Sequence, residues 1–345
     1  MINRSEMSGG TTFKDRLNQL IILSPLPVNT NNKAIDTSGF IKKKDSSNID
    51  IGGASFRYAL EIFGMAISIT WAFAVVAILI MYMTNTSSNI NYLLYFAIFL
   101  FTISLPLFFI IPIVWNAHRK LIKSPYLRFN RQRREVALPF GEGNTRFTII
   151  PWEHIYAWVG TSRTLTDEMT HVQSSLTITM ASRSDPQGFT GRYEIMCGDE
   201  LNCIMQWECI RRFMEDGPEA CPDPCNLDTL EEYIDSRKRW KEKKVLEGWD
   251  YWKQRISDWM HWSYFAHWFS DWQQTKLQDV MPAEIKQWSQ PIPEDQWAKP
   301  SAELVEANAT VAAYYHQGGK FGDQSMPTFG LKNPRRVVAR DVITK

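Results

Sequence analysis

The sequence predicts an α+β membrane protein: a two-helix transmembrane hairpin, then a small antiparallel β domain closed by a helix, then a Trp-rich α-helical C-terminal region. Three observations predict it. Residues 62–83 and 90–115 are apolar and carry no Asp, Glu, Lys or Arg. From Tyr126 onward, short segments alternate apolar and polar residues, the period of strands with one buried face. Nine of the fourteen tryptophans fall from Trp240 to Trp297, several of them three or four residues apart, the period of one helix face.

Residues 1–55 read as a polar N-terminal arm rich in Ser, Asn and Lys. One apolar island, Phe13, Leu17, Leu20, Ile21, Ile22 and Leu23, fits a short amphipathic helix. It stops at Ser24-Pro25-Leu26-Pro27, because proline disfavours helical geometry in the residue before it. Residues 28–55 read as a mobile linker.

Residues 56–120 hold the hairpin. Each apolar run is long enough to cross a hydrocarbon core of about 30 Å. The link Thr84-Asn85-Thr86-Ser87-Ser88-Asn89 is uncharged. Lys42, Lys43, Lys44 and Arg57 precede the first run, and Arg119, Lys120, Lys123, Arg128, Arg131, Arg133 and Arg134 follow the second. Lys and Arg stay on the cytoplasmic side. The expectation is a multi-pass protein of the bacterial inner membrane with both termini cytoplasmic. Arg119, Lys120, Lys123, Arg131, Arg133 and Arg134 become candidate contacts to anionic lipid head groups. Pro106 and Pro112 kink the second run. No ionisable residue lies within either run, and such residues are the usual mark of an ion path. The hairpin therefore reads as an anchor. The runner-up is a buried helical hairpin in a soluble domain.

Residues 121–217 read as the β domain. Its strands are Tyr126-Leu-Arg-Phe-Asn130, Arg134-Glu-Val-Ala-Leu-Pro-Phe140, Arg146-Phe-Thr-Ile-Ile150, His154-Ile-Tyr-Ala-Trp-Val159, Ser175-Leu-Thr-Ile-Thr-Met-Ala181 and Gly191-Arg-Tyr-Glu-Ile-Met196. Gly141-Glu-Gly-Asn144 is a turn signal, and residues 160–173 look like a longer polar loop, with an irregular strand within it as the alternative. An amphipathic helix follows from Glu200 to Asp216 and stops at Gly217-Pro218. On the pattern "Leu127-Arg-Phe-Asn-Arg131 … Ile150-Pro-Trp-Glu-His-Ile155", the strand count and the closing helix, this segment resembles bacterial pleckstrin-homology-like domains. The resemblance implies a small barrel with one end plugged by the helix.

Residues 226–317 form the Trp-rich helical region. Asp228-Thr-Leu-Glu231 has the spacing of a helix start, and Gly248 is a candidate break. Trp249, Trp252 and Trp259, with Ile256, share one face; Trp262, Phe265, Phe269 and Trp272 share another. Three readings compete for this stripe: packing into a core, a helix at the membrane surface where indole favours the head-group zone, or a docking face for another protein. Residues 318–345 read as an irregular basic tail.

The chemistry sought is not found. No nucleotide loop, zinc-protease motif or nucleophile elbow is present. The formal charge of +1 implies no nucleic-acid partner. Five cysteines, all after residue 196, read as thiols in a reducing compartment. Cys221-Pro-Asp-Pro-Cys225 lacks a second ligand pair for a metal. Glu153 and His154 read as neighbours on opposite faces of a strand. The expectation is a non-enzyme without metal or cofactor.

The whole layout resembles a family of bacterial two-helix inner-membrane proteins associated with type VI secretion toxin loci. The match rests on the polar arm, the uncharged hairpin, "Leu127-Arg-Phe-Asn-Arg-Gln-Arg-Arg134", "Ile150-Pro-Trp-Glu153", the Trp-rich helices and "Pro291-Ile-Pro-Glu-Asp-Gln-Trp297". It implies immunity or an accessory role for a co-encoded toxin, acting by binding. Two alternatives stand beside it: a lipid-facing scaffold or regulator, and an oligomeric hairpin that itself permeabilises membranes. The expected partners are membrane lipid and a protein, with a homo-oligomer also compatible.

Overall fold

The computed structural model describes residues 6–37, 39–52, 57–84, 126–140, 146–165, 170–182, 185, 187–225, 229–242, 245–279, 281–331 and 340–343, with isolated helical positions between 97 and 119. Among the described residues the chain is α+β, with two antiparallel sheets and seven α-helices. It divides into two compact units. The first comprises Met1–Ala54, Ser124–Cys225 and Val280–Lys345; the second comprises Ser55–Lys123 and Asn226–Asp279.

The strands of the first unit are β1 (Thr12–Lys14), β2 (Asn18–Ser24), β3 (Ile41–Lys44), β4 (Asn48–Ile51), β5 (Leu127–Asn130), β6 (Glu135–Phe140), β7 (Arg146–Pro151), β8 (Tyr156–Leu165), β9 (Thr170–Ala181), β10 (Phe189–Gly198) and β11 (Arg340–Ile343). They form a five-stranded sheet in the order β1-β2-β8-β9-β10 and a six-stranded sheet in the order β11-β7-β6-β5-β4-β3. Helix α2 (Glu200–Glu215) starts on Asp199, whose carboxylate accepts the Asn202 N–H. Both sheets and α2 contribute to one core. At its centre Trp152 stacks on Trp207 at 5.2 Å, and Phe129 meets Trp152 edge-on at 5.6 Å.

Several expectations change here. The apolar island of residues 13–23 is not an amphipathic helix: it is β1 and β2. Residues 21–24 are buried on both faces, because Ile21 and Leu23 join the main core while Ile22 packs on the other side with Met7 and Tyr156. A continuous apolar run of that length fits a buried strand as well as a helix. Nor are residues 28–55 a linker. Ile41, Ile49 and Ile51 enter the core, and Asp45 builds the turn between β3 and β4 by accepting the Ser47 N–H at 2.8 Å and the Asn48 N–H at 2.7 Å. Its Ser, Asn and Asp residues are turn formers. The β domain of residues 121–217 is therefore not self-contained, since residues 12–51 supply strands to both of its sheets. Residues 160–165 and 170–173 lengthen β8 and β9, where a polar loop with at most an irregular strand is the expectation. The tail of residues 318–345 contains β11, paired with β7.

The Trp-rich region also divides. Helices α3 (Leu230–Glu242), α4 (Gly248–Met260) and α5 (Ser263–Asp279) belong to the second unit. Helices α6 (Ala283–Trp288) and α7 (Ala302–His316) belong to the first. The strap between them carries a 3-10 turn at Glu294–Gln296.

The second unit is built on α1 (Arg57–Thr84). Its stretch Arg57–Ile80 is long and apolar enough to cross a membrane, with a mean hydropathy of 2.3, and 17% of that apolar window is buried. It is the one such helix among the described residues. The second run, residues 90–115, lies outside the described residues apart from isolated helical positions.

Candidate functional site

The aromatic helices α4 and α5 meet at a two-residue elbow, His261 and Trp262. Trp262 adopts a left-handed φ of 54°, which lets α5 start at once. The His261 N–H closes on Ser257 O at 2.9 Å, and the Ala266 N–H closes on Trp262 O at 2.9 Å. Against this elbow lies the first half of α1. Ser68 Oγ donates to Met260 O at 2.9 Å. Trp71 meets Trp262 with ring centroids 5.9 Å apart. A Cβ placed on Gly64 would sit 2.7 Å from His261 O, so only glycine permits this approach.

The side of this interior that α5 supplies is small and polar, facing Leu60 and Ile67 of α1 among the buried residues. Ser263, Ala266, His267 and Ser270 of α5 are buried. His267 Nδ1 lies 2.6 Å from Ser263 O and 4.0 Å from Glu61. Asp258 of α4 is held bidentately by Arg237, at 2.6 Å through each nitrogen. Its carboxylate also accepts from Gln254 at 3.1 Å.

The large apolar side chains point the other way. Trp249, Trp252, Ile256 and Trp259 are exposed along one stripe of α4, with Trp259 reaching 70%. On α5 the exposed stripe is Tyr264, Phe265, Trp268 and Trp272. Trp262 and Phe269 are half-buried beside it. The predicted face is thus real as an exposed surface on α4. On α5 it is rotated, and sequence reasoning missed Tyr264 and Trp268. The signal was available, because Phe265, Trp268 and Trp272 keep helical spacing opposite Ser263, His267 and Ser270.

The predicted lipid contacts fare differently. Arg119 sits beside Trp115, with its guanidinium 5.6 Å from the ring. Lys120 and Lys123 lie outside the described residues. Arg131, Arg133 and Arg134 belong to the turn between β5 and β6 and bind protein groups; Arg131 and Arg133 are half-buried and Arg134 is buried, which removes Arg134 from the candidate head-group contacts. Arg134 is buried between Glu215 at 2.7 Å and Glu153 at 3.0 Å. Its guanidinium stays charged because those carboxylates outweigh the cost of burial. Arg133 donates to Trp288 O at 2.9 Å, and Arg131 stacks over Trp297 at 5.3 Å. Gln132 holds the strap through Ile292 and Ala298. Three strings singled out in the sequence, residues 127–134, 150–153 and 291–297, therefore converge on one structural junction.

The outer face of the five-stranded sheet is hollow. A cleft of about 1070 Å³ runs over it, lined by Lys14, Trp158, Gly160, Thr177, Arg192 and Glu194 among others. Gly160 opens its floor: a Cβ there would meet nothing nearer than 3.9 Å. Thr177 is 1% exposed, and its hydroxyl has no hydrogen-bond partner. Arg192 and Ser175 both engage Glu194, at 3.1 and 2.7 Å.

Glu153 and His154 lie in a 3-10 turn, Trp152–His154, where a strand was expected. Glu153 ties Arg134 to the Ser301 N–H at 3.1 Å. His154 has its pKa lowered by burial against the pull of Glu153 and Glu303. Cys221 neighbours Cys209, which raises the Cys209 thiol further out of reach of ionisation; Cys203 is raised in the same way by Cys197. Among the described residues no group of His, Cys, Asp and Glu is placed to hold a metal ion. Comparison of the chain with protein-family models, with curated proteins and with solved structures gives no match.

Proposed function

We propose that this chain is a membrane-anchored binding protein that holds a protein partner and works by binding, not catalysis. The observation that supports this most is α1, with its uncharged run and outward Ile62, Phe73 and Met83, exposed by 66, 72 and 80%. A helix saturates its own backbone hydrogen bonds, so such a surface is stable in hydrocarbon. On this reading α1 and the run at residues 90–115 form a hairpin in a bacterial inner membrane, with both termini cytoplasmic, as the basic flanks suggest.

The double-sheet unit is then the recognition unit, a role suggested by the resemblance of the sequence patterns in residues 121–217 to pleckstrin-homology-like domains. We assign the partner to the hollow around Gly160 and Thr177. The cleft there is open, and its lining mixes aromatic, polar and charged side chains, Trp158, Ser175, Arg192 and Glu194 among them. The resemblance to proteins associated with type VI secretion toxin loci supplies the partner class: a co-encoded toxin or effector, with this chain as immunity or accessory protein.

The test is co-expression of the full chain with the adjacent toxin gene. Restored growth and a co-purifying complex support the reading. Gly160→Arg, whose Cβ would meet nothing nearer than 3.9 Å, places a long cation at the floor of the hollow and should abolish co-purification while leaving the chain in the membrane fraction. Unchanged killing with no complex contradicts it.

A further inference from the structure

The helices of the second unit are inside-out for water. In an amphipathic helix of a soluble protein, apolar residues face the core and polar ones the solvent. Here α5 packs through Ser263, Ala266, His267 and Ser270 and turns Phe265, Trp268 and Trp272 outward. Its partner α1 does the same, packing through Gly64, Ile67 and Ser68 while Ile62 and Phe73 face out. Close packing through small residues, with large apolar groups outside, is the pattern of helices in lipid. The solvent that suits α1 therefore suits the outer face of α5.

The contact with α1 fixes the depth. Ile62 is the first residue of the uncharged run. Ser68 and Trp71 lie about 9 and about 14 Å beyond it at about 1.5 Å per residue. The elbow residues Met260 and Trp262 touch α1 at these two positions. They sit well past the boundary of a core about 30 Å thick. The sequence agrees, since no Asp, Glu, Lys or Arg occurs from Trp259 to Ser270. The acid just before that stretch, Asp258, is buried against Arg237. On α4, Lys253 and Arg255 are exposed on either side of the Trp stripe, where long cationic side chains reach toward head groups.

We propose that the α4–α5 elbow is inserted into the same leaflet that α1 enters. The tip, Met260 to Trp262, dips below the head groups, and the exposed stripes of both helices lie at the boundary between head groups and acyl chains. The ligand is phospholipid, bound through indole and phenyl rings at the interface. The inference rests on the reading that α1 crosses a membrane.

The test uses the full chain in nanodiscs of phosphatidylcholine and phosphatidylglycerol. In a Cys225→Ser background, single nitroxides are placed through Trp259→Cys, Trp268→Cys, Val76→Cys and Lys299→Cys. Collision rates with oxygen and with a water-soluble nickel chelate are compared. The expected result is a nickel-shielded label at 76, about 21 Å along α1 from Ile62 and so about 9 Å from the far boundary, a label at 259 shielded to a similar depth, a shallower but shielded label at 268, and an aqueous label at 299. Shielding at 76 with aqueous labels at 259 and 268 overturns the elbow insertion and leaves the anchor standing. An aqueous label at 76 removes the anchor and the inference together.

The native chain gives a second reading. Interfacially brominated phosphatidylcholine should quench part of its tryptophan emission, and Trp259→Phe with Trp268→Phe should reduce the quenched part. An unchanged quenched part overturns the proposal.

Discussion

Ser68 of α1 donates a hydrogen bond to the carbonyl of Met260, at 2.9 Å. That bond joins a helix long enough to span a membrane to the last residue of a Trp-lined helix, across 192 residues of chain. It makes α1 a structural partner of the aromatic helices.

Gly64 should be the most sensitive position of that contact. Its missing side chain faces backbone, with His261 O at 2.7 Å and His261 C at 2.9 Å from the place of a Cβ. Backbone cannot rotate away as a flexible side chain can. Gly64→Ala should destabilise the second unit by about 1–3 kcal/mol. The full chain in detergent should show a lower unfolding midpoint and faster proteolysis between residues 243 and 262. An unchanged midpoint would mean that α1 and the elbow do not pack as described.

Arg134 should dominate the junction in the first unit. Truncating it by Arg134→Met leaves Glu215 and Glu153 buried without their shared cation, and breaking such a pair from one side costs about 3–5 kcal/mol. Chemical denaturation of the full chain in detergent measures this. Adding Glu215→Gln to Arg134→Met should recover part of the loss, because it removes one stranded charge. A loss under 1 kcal/mol, roughly that of a surface ion pair, would place Arg134 in solvent.

His154 should couple stability to pH. Burial holds its folded pKa below the usual 6.5 despite Glu153 and Glu303. As pH falls through about 6.5, the unfolded chain takes up the proton first, so stability is full above that value and declines below it. Below its own lowered pKa the folded state is protonated as well, and the loss levels off. His154→Gln should flatten this limb relative to the parent chain. Parallel curves from pH 7 to 5 would show that His154 carries no such linkage.

The thiols should separate by burial. Cys197, Cys203, Cys209 and Cys221 are buried, and Cys225 is half-buried in a loop. Alkylation of the native chain, read by intact mass, should modify Cys225 first and the other four only after denaturation. Rapid modification of all five would contradict the packing of α2 and of the Cys221 loop.

How much of this was legible in the sequence depends on where each residue finds its partner. Strand β9 and helix α2 were readable because their signals are local: strict alternation over residues 175–181, and amphipathic spacing from Glu200 that stops at Gly217-Pro218. Strand β2 was not, because Ile21 pairs with Val159 and lies in register with it far along the chain. The same holds for β4, whose Ile49 faces Phe129. Polar residues 28–55 looked like a linker because turn chemistry without its distant strand partners has no other appearance. Arg134 looked like a topological signal because Glu215 is 81 residues away. For the aromatic helices, spacing was visible but direction was not. A stripe at every third or fourth residue fits an inward face and an outward one alike, and only the buried Ser263, His267 and Ser270 decide between them.

The central claim is that α1 anchors the chain in a bilayer. The most direct measurement is extraction of membranes from cells expressing the full chain, first with alkaline carbonate and then with detergent. The account predicts that the chain stays in the pellet through carbonate and is released by detergent. Release by carbonate alone, as a monodisperse soluble protein, would contradict it.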